Sequence, residues 1–242
     1  MIKTFFLYLG YTLATMAITS VSYLNLAPQF GSNPSKKEKI GYEKLPNFDN
    51  GTFINFEDTP LMTGKISTWD FLKSDSLRKP ENLKTEKIDN SFFIQLENRE
   101  YQIAWLGHSA FLISINEKII LLDPMLGSHA APISIPSLKR FNYELPIHPE
   151  SIPHIDFVVL SHDHYDHLDF STIQIIKDKV KTFIIPLGIG SHLRSWNVEE
   201  KKIVEMNWEQ SYEIDDLEFV CLPARHFSGR GPLNRNSTLW SS

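Results

Sequence analysis

From Tyr101 onward the chain is punctuated into short apolar runs separated by polar turns, a pattern that predicts strands before anything else. Tyr101–Leu106, Phe111–Ile115 and Ile119–Leu122 are apolar or alternating, and Asn116-Glu117 supplies a tight turn between the last two, so this region reads as an antiparallel start. A Pro-rich loop from Pro124 to Pro153 follows. Phe157-Val158-Val159-Leu160 is then a continuous apolar run, as expected of a strand buried on both faces. Ser171-Thr172-Ile173-Gln174 has capping-box spacing and predicts a helix to about Lys179. Phe183–Ile185 predicts a strand stopped by Pro186, and Ser191–Trp196 a second short helix. Strands are expected at Lys202–Glu205, Tyr212–Ile214 and Leu217–Leu222, the last two joined by a turn at Asp215-Asp216. Alternation of strands with helices predicts an α/β fold. The sequence contains no internal repeat and no low-complexity tract.

Upstream the pattern changes twice. Residues from Ala27 to about Asn98 are rich in Pro, Lys, Asn and Asp without sustained periodicity, which predicts an extended arm with one helix near Thr68 to Leu77. Ahead of it, Thr4 to Ser35 carries no charged side chain and Phe5 to Leu26 is mostly apolar, with Lys3 the one basic residue in front. A signal peptide uses an apolar region of roughly 7–15 residues, whereas a spanning helix needs roughly 20. The length, the poor cleavage site offered by Ser20 and Ser22, and Tyr8, Tyr11 and Tyr23 as interfacial aromatics favour an uncleaved anchor or signal-like segment. The protein is expected at a membrane, with export as the alternative and an amphipathic arm laid on the domain as the plainer one. The organisation read from the chain is therefore an apolar segment over 1–26, an arm over 27–98 and a domain over 99–242.

Composition narrows the chemistry. A chain of 242 residues, 42% hydrophobic, buries a sizeable core as one domain with an extension. Its formal net charge of -5 excludes the basic footprint of a nucleic-acid binder. The single cysteine, Cys221, excludes an internal disulfide and a thiolate zinc site, so any metal must be held by His, Asp and Glu. Cys221 sits in the apolar run Leu217 to Leu222 and reads as a small buried hydrophobe.

The strongest chemical feature is Ser161-His162-Asp163-His164-Tyr165-Asp166-His167-Leu168-Asp169, where three of the nine histidines fall within six residues directly after an apolar strand. Alternate residues of an extended chain point to one side, so His162 and His164 can aim together while the following turn carries Asp166 and His167 to a second position. Imidazole and carboxylate donors suit zinc, and also manganese or iron. A solvated polar loop with incidental histidines explains this spacing far less well.

The His-x-His-x-Asp-His pattern resembles the signature of the metallo-β-lactamase superfamily. With Trp105-Leu106-Gly107-His108-Ser109, Leu122-Asp123-Pro124, Pro186-Leu187-Gly188 and Pro223-Ala224-Arg225-His226, it is similar to the branch containing N-acylphosphatidylethanolamine-hydrolysing phospholipase D and its bacterial relatives, from about Leu24 to Ser242. The resemblance implies an αββα sandwich, two zinc ions, and His162, His164 and His226 on the first with Asp166 and His167 on the second, Asp166 also counting as catalytic. His226 opens the Gly-rich stretch to Gly231, where backbone can approach a ligand closely. Asp123 matches an aspartate that orients ligands without touching metal, although a turn-forming role before Pro124 explains it equally well. His108 could line the site, with packing at least as good an explanation. Tyr165 and Asp163 are expected to shape the site, while His129, His148, His154 and His192 read as ordinary surface or core histidines.

The family also uses a bridging Asp and a final His further along, and after His226 this sequence has neither. The chain is therefore expected to hold the first half of the sandwich and the opening of the second, near Ser237 to Ser242, with apolar surface and strand edges left open. The function implied by the resemblance is a phospholipase D-type phosphodiesterase acting on N-acyl phosphatidylethanolamine or a similar lipid through hydroxide held by two zinc ions. Another ester or lactone hydrolase, or an inactive membrane-associated module, are the alternatives. The expected partners are a phospholipid or other small ester and a membrane, with the oligomeric state open.

Overall fold

The computed structural model describes residues 2–57, 60, 83–94, 101–141, 144–232 and 234–242. The helix expected near Thr68 to Leu77 lies outside them. A long helix, α1 (Ile2–Leu26), leads into α2 (Lys36–Tyr42) and a small hairpin of β1 (Phe48–Asp49) and β2 (Thr52–Phe53). A six-stranded sheet follows, built from β3 (Tyr101–Gly107), β4 (Ala110–Ile115), β5 (Lys118–Leu122), β6 (Ile155–Val159), β7 (Val180–Pro186) and β8 (Ile203–Met206) in sequential order. Strands β3 to β5 pair antiparallel and β5 to β8 parallel, with α3 (Phe170–Ile176) and α4 (Gly190–Ser195) crossing between the parallel strands. The hairpin of β9 (Ser211–Ile214) and β10 (Leu217–Val220) forms a separate two-stranded sheet.

The sheet is apolar on both faces because each is covered. Ile119, Leu121, Val158, Phe183 and Ile185 join a core with Ile173 and Ile176 of α3 and Leu193 of α4. Their neighbours Ile120, Phe157 and Ile184 face a second core made by Tyr42, Phe48, Phe53, Trp208, Cys221, Leu239 and Trp240. This double burial explains the unbroken apolar run of β6. Cys221 is buried and free, as its apolar surroundings predicted.

The hairpin turn at Asn116-Glu117 forms with both residues at positive φ, 47° and 62°, the twist that a two-residue connection between antiparallel strands requires. The turn at Asp215-Asp216 also forms. The helix expected from a capping box at Ser171 starts earlier. Asp169 is its N-cap, because its carboxylate accepts from the amides of Ser171 and Thr172 and from Gly127 N as well, more donors than a serine hydroxyl can satisfy. The true capping box, Ser35 with Glu38 on α2, escaped the sequence reading, as did the β1–β2 hairpin. The arm is thus partly folded onto the sheet, and its irregularly spaced aromatics Tyr42, Phe48 and Phe53 stack edge to face within the second core.

Residues Leu239 to Ser242 run beside the sheet in strand-like fashion, donating from Leu239 N to Leu187 O and from Ser241 N to Ser161 O, both at 2.8 Å. Apolar side chains remain open on the edge strand β3 at Tyr101, Ile103 and Trp105, and on the hairpin side at Val220 and Leu222. Helix α1 is 24 residues over its apolar span, Lys3–Leu26, with mean hydropathy 1.4 and none of that window buried.

Candidate metal centre

Ligands of open α/β sheets collect where parallel strands end, and the chemistry here gathers at the carboxyl ends of β5 and β6. Strand β6 delivers Ser161 to Asp169, β5 delivers Asp123, the β3–β4 turn delivers His108, and the loop after β10 delivers His226. His108 and Asp123 both adopt positive φ, 48° and 42°, which turns the chain sharply enough to aim each side chain inward.

Three ring nitrogens converge. His162 Nε2 lies 2.9 Å from His164 Nδ1 and 3.0 Å from His226 Nε2, and His226 Nε2 lies 3.2 Å from His164 Nδ1. Each ring nitrogen has one in-plane lone pair or one N–H, so three mutual contacts cannot all be hydrogen bonds. A tetrahedral divalent ion with nitrogens at about 2.0–2.1 Å would space them by about 3.3 Å, close to this triangle. Beside it stands a second group, His108, Asp166 and His167, with His108 Nε2 3.0 Å and His167 Nε2 3.9 Å from Asp166 Oδ2. The rings of His162 and His167 are 4.1 Å apart, so the two groups are adjacent.

Asp123 sets the tautomers in both groups. Its carboxylate accepts from Ser161 N at 2.7 Å, Ser161 Oγ at 2.6 Å and His167 Nδ1 at 2.8 Å. With the Ser161 hydroxyl committed to Asp123, its oxygen accepts from His162 Nδ1 at 2.9 Å. Both histidines therefore carry their proton on Nδ1 and leave Nε2 as a lone pair facing the centre.

The electrostatics favour cation-ready donors. Burial, then the neighbouring charges of His167, His164 and His226, push His162 down to about 2. Burial also lowers His164 and His226, so the triad is neutral at pH 7. Burial opposes ionisation of Asp166, but the hydrogen bond from His108 and the electrostatic pull of the neighbouring His167 and His108 rings outweigh it and hold the carboxyl down at about 2. The same hydrogen bond raises His108. Neutral imidazoles beside an ionised carboxylate are the protonation states that bind a divalent cation.

Asp163, expected to shape the site, does so together with two residues that the sequence left without a role, Arg230 and His192. Asp163, fully buried, accepts from Gly229 N at 2.7 Å, Thr238 Oγ1 at 2.8 Å and His192 Nε2 at 3.2 Å. Arg230 is buried between the rings of Tyr165 and Trp196, donating to Asp163 O and Leu168 O through Nη1 and to Gln29 O through Nη2. His192 is wholly buried. No local pattern announces His192 or Arg230, since their partners Asp163 and Gln29 lie 29 and 201 residues away.

A central mixed sheet whose strand ends converge five imidazoles and the Asp166 carboxylate into two adjoining groups defines an α/β protein with donor groups suited to a metal. The family profile described as a beta-lactamase superfamily domain matches residues 118–242, just over half of the sequence. The chain belongs to the metallo-β-lactamase superfamily. An uncharacterized protein of Mycobacterium tuberculosis is 35% identical over 206 residues, 83% of this chain and 54% of its own length. An N-acyl-phosphatidylethanolamine-hydrolyzing phospholipase D of Caenorhabditis elegans is 33% identical, over 57% of this chain and 41% of that protein. A metal-dependent hydrolase of Saccharolobus solfataricus is 29% identical, over 52% of this chain and 51% of its own. The chain thus spans about half the length of the relatives it matches.

Proposed function

We propose that this chain carries the metal-binding core of a metal-dependent hydrolase that acts on a lipid phosphodiester of the N-acyl phosphatidylethanolamine type. The observation that carries this reading is the pair of adjoining donor groups, the nitrogen triangle of His162, His164 and His226 beside Asp166, His167 and His108. In this reading His162, His164 and His226 hold one zinc ion, Asp166 and His167 hold a second, and His108 steadies Asp166. A pair of bound divalent ions supplies Lewis acidity and brings the ionisation of a water near neutral pH, so the hydrolysis needs no nucleophilic side chain. The protein's own part is to present lone pairs without competing protons. Asp123 does this through Ser161 and His167, and burial does it for the triad.

The lipid substrate is supported by the similarity to the Caenorhabditis elegans phospholipase and by helix α1, exposed and apolar over a length that fits a bilayer. Such a helix would hold the centre beside a membrane-borne phosphodiester. The similarity to a metal-dependent hydrolase of unstated substrate keeps another ester or lactone as the second reading, since one metal site serves many reactions.

The test presents the zinc-loaded chain with vesicles containing N-acyl phosphatidylethanolamine and measures phosphatidic acid, with vesicle flotation and metal content read in parallel. Chelator-sensitive phosphatidic acid supports the reading. Turnover confined to an ester or lactone panel moves the substrate class. A chain that binds no metal and turns over nothing is the inactive module.

A further inference from the structure

The segment that follows helix α1 is fastened to the frame of the metal centre. Trp196 Nε1 donates to Pro28 O at 2.6 Å, Arg230 Nη2 to Gln29 O at 2.7 Å, and Ser191 Oγ to Ser32 O at 2.6 Å. Ser32 N donates to His192 Nδ1 at 3.0 Å. Gly31 passes so close, at φ 71°, that a Cβ there would lie 2.2 Å from His192 Nδ1. This strap therefore demands a residue without a side chain and presses on one particular histidine.

We propose that His192 is a positioning residue that ties the strap after the apolar helix to the Asp163 carboxylate and thereby holds His226 against His162 and His164. The inference rests on reading those three histidines as a metal-binding set. A backbone amide can only donate, so Ser32 fixes His192 Nδ1 as the acceptor and leaves the proton on Nε2. Nε2–H then donates to Asp163 Oδ2. Asp163 stands between His162 and His164 in the chain, and its other oxygen holds the amide of Gly229, three residues beyond His226. Thr238 donates to the same Oδ2, so the carboxylate has one available orientation. The sequence of contacts runs from the exposed Ser32 through His192 and Asp163, both wholly buried, to the half-buried Gly229. A group that hydrogen-bonds a metal ligand commonly governs metal affinity about 10–100-fold, and His192 acts one contact further out, through Asp163, so that range bounds its effect from above.

The experiment titrates the full chain and three variants with cobalt(II) alone, reading both affinity and the visible absorption that reports coordination geometry. His192→Gln keeps a donor where Nε2 stood and so keeps Asp163 in place. His192→Asn keeps only the contact to Ser32. Gly31→Ala pushes on His192 from the strap side without touching the metal motif. We expect wild type and His192→Gln to bind alike, and His192→Asn and Gly31→Ala to weaken binding measurably, by up to about 10–100-fold, with an altered spectrum. The same Gly31→Ala change made in a His192→Ala background should cost little more than His192→Ala alone, because the clashing ring is gone. Equal losses in the Gln and Asn variants, or an unaffected Gly31→Ala, overturn the proposal while leaving the metal site standing. A wild-type chain that binds no cobalt overturns both.

Discussion

Asp123→Asn offers the sharpest single test of how the centre is organised. The substitution conserves shape, and Asn tolerates the left-handed φ of 42° as well as Asp does. The carboxylate faces only donors, Ser161 N at 2.7 Å, Ser161 Oγ at 2.6 Å and His167 Nδ1 at 2.8 Å. An amide brings two N–H groups into that setting. With its NH2 toward His167, the ring proton must move to Nε2 and block the lone pair that would face a cation beside Asp166. With its NH2 toward Ser161 N, two donors oppose each other in a site where residue 123 is 4% exposed. Leaving one buried donor unmet costs about 1–3 kcal/mol. For a chain of this size that lowers the melting temperature of metal-free protein by about 2–12 °C, at about 2–4 °C per kcal/mol. On the proposed two-ion reading, affinity at the Asp166 and His167 position should fall about 10–100-fold while that at the His162, His164 and His226 position falls less. Thermal melts and a two-site zinc titration read both effects. Two ions bound at wild-type affinity would refute the tautomer argument outright.

The pH dependence of the metal-free chain follows from His162. Its folded-state value is about 2 against an ordinary 6.5, so the unfolded chain takes up the proton first, and stability is full above pH 6.5 and declines as pH falls from there toward 2. Unfolding free energies from urea titrations should therefore drop between pH 7.5 and pH 5.5, by at most about 1.4 kcal/mol per pH unit for one such group, and a flat profile would contradict it. Trp196→Ala empties a site 2% exposed and removes the donor to Pro28 O, so chemical denaturation should show a loss of about 3–5 kcal/mol.

What the sequence alone determined was local. The strands, the two turns and the cluster from His162 to His167 were legible because alternation, turn residues and ligand spacing operate over a few positions, and backbone geometry converts such spacing directly into direction. Asp123 was legible only as one of two roles, since a turn before proline and a carboxylate that orders tautomers look the same in a sequence. The start of α3 was misplaced by two residues, because what decides between Asp169 and Ser171 as cap is the further amide of Gly127, supplied by a distant loop. Tertiary structure decided the rest. It brought His226 within 3.0 Å of His162 across 64 residues, and it turned His192, read in the sequence as an ordinary surface or core histidine, into the link between Ser32, 160 residues away, and Asp163. Such long-range partners leave no periodic trace, because a buried hydrogen bond constrains only the two groups that meet and not the residues between them.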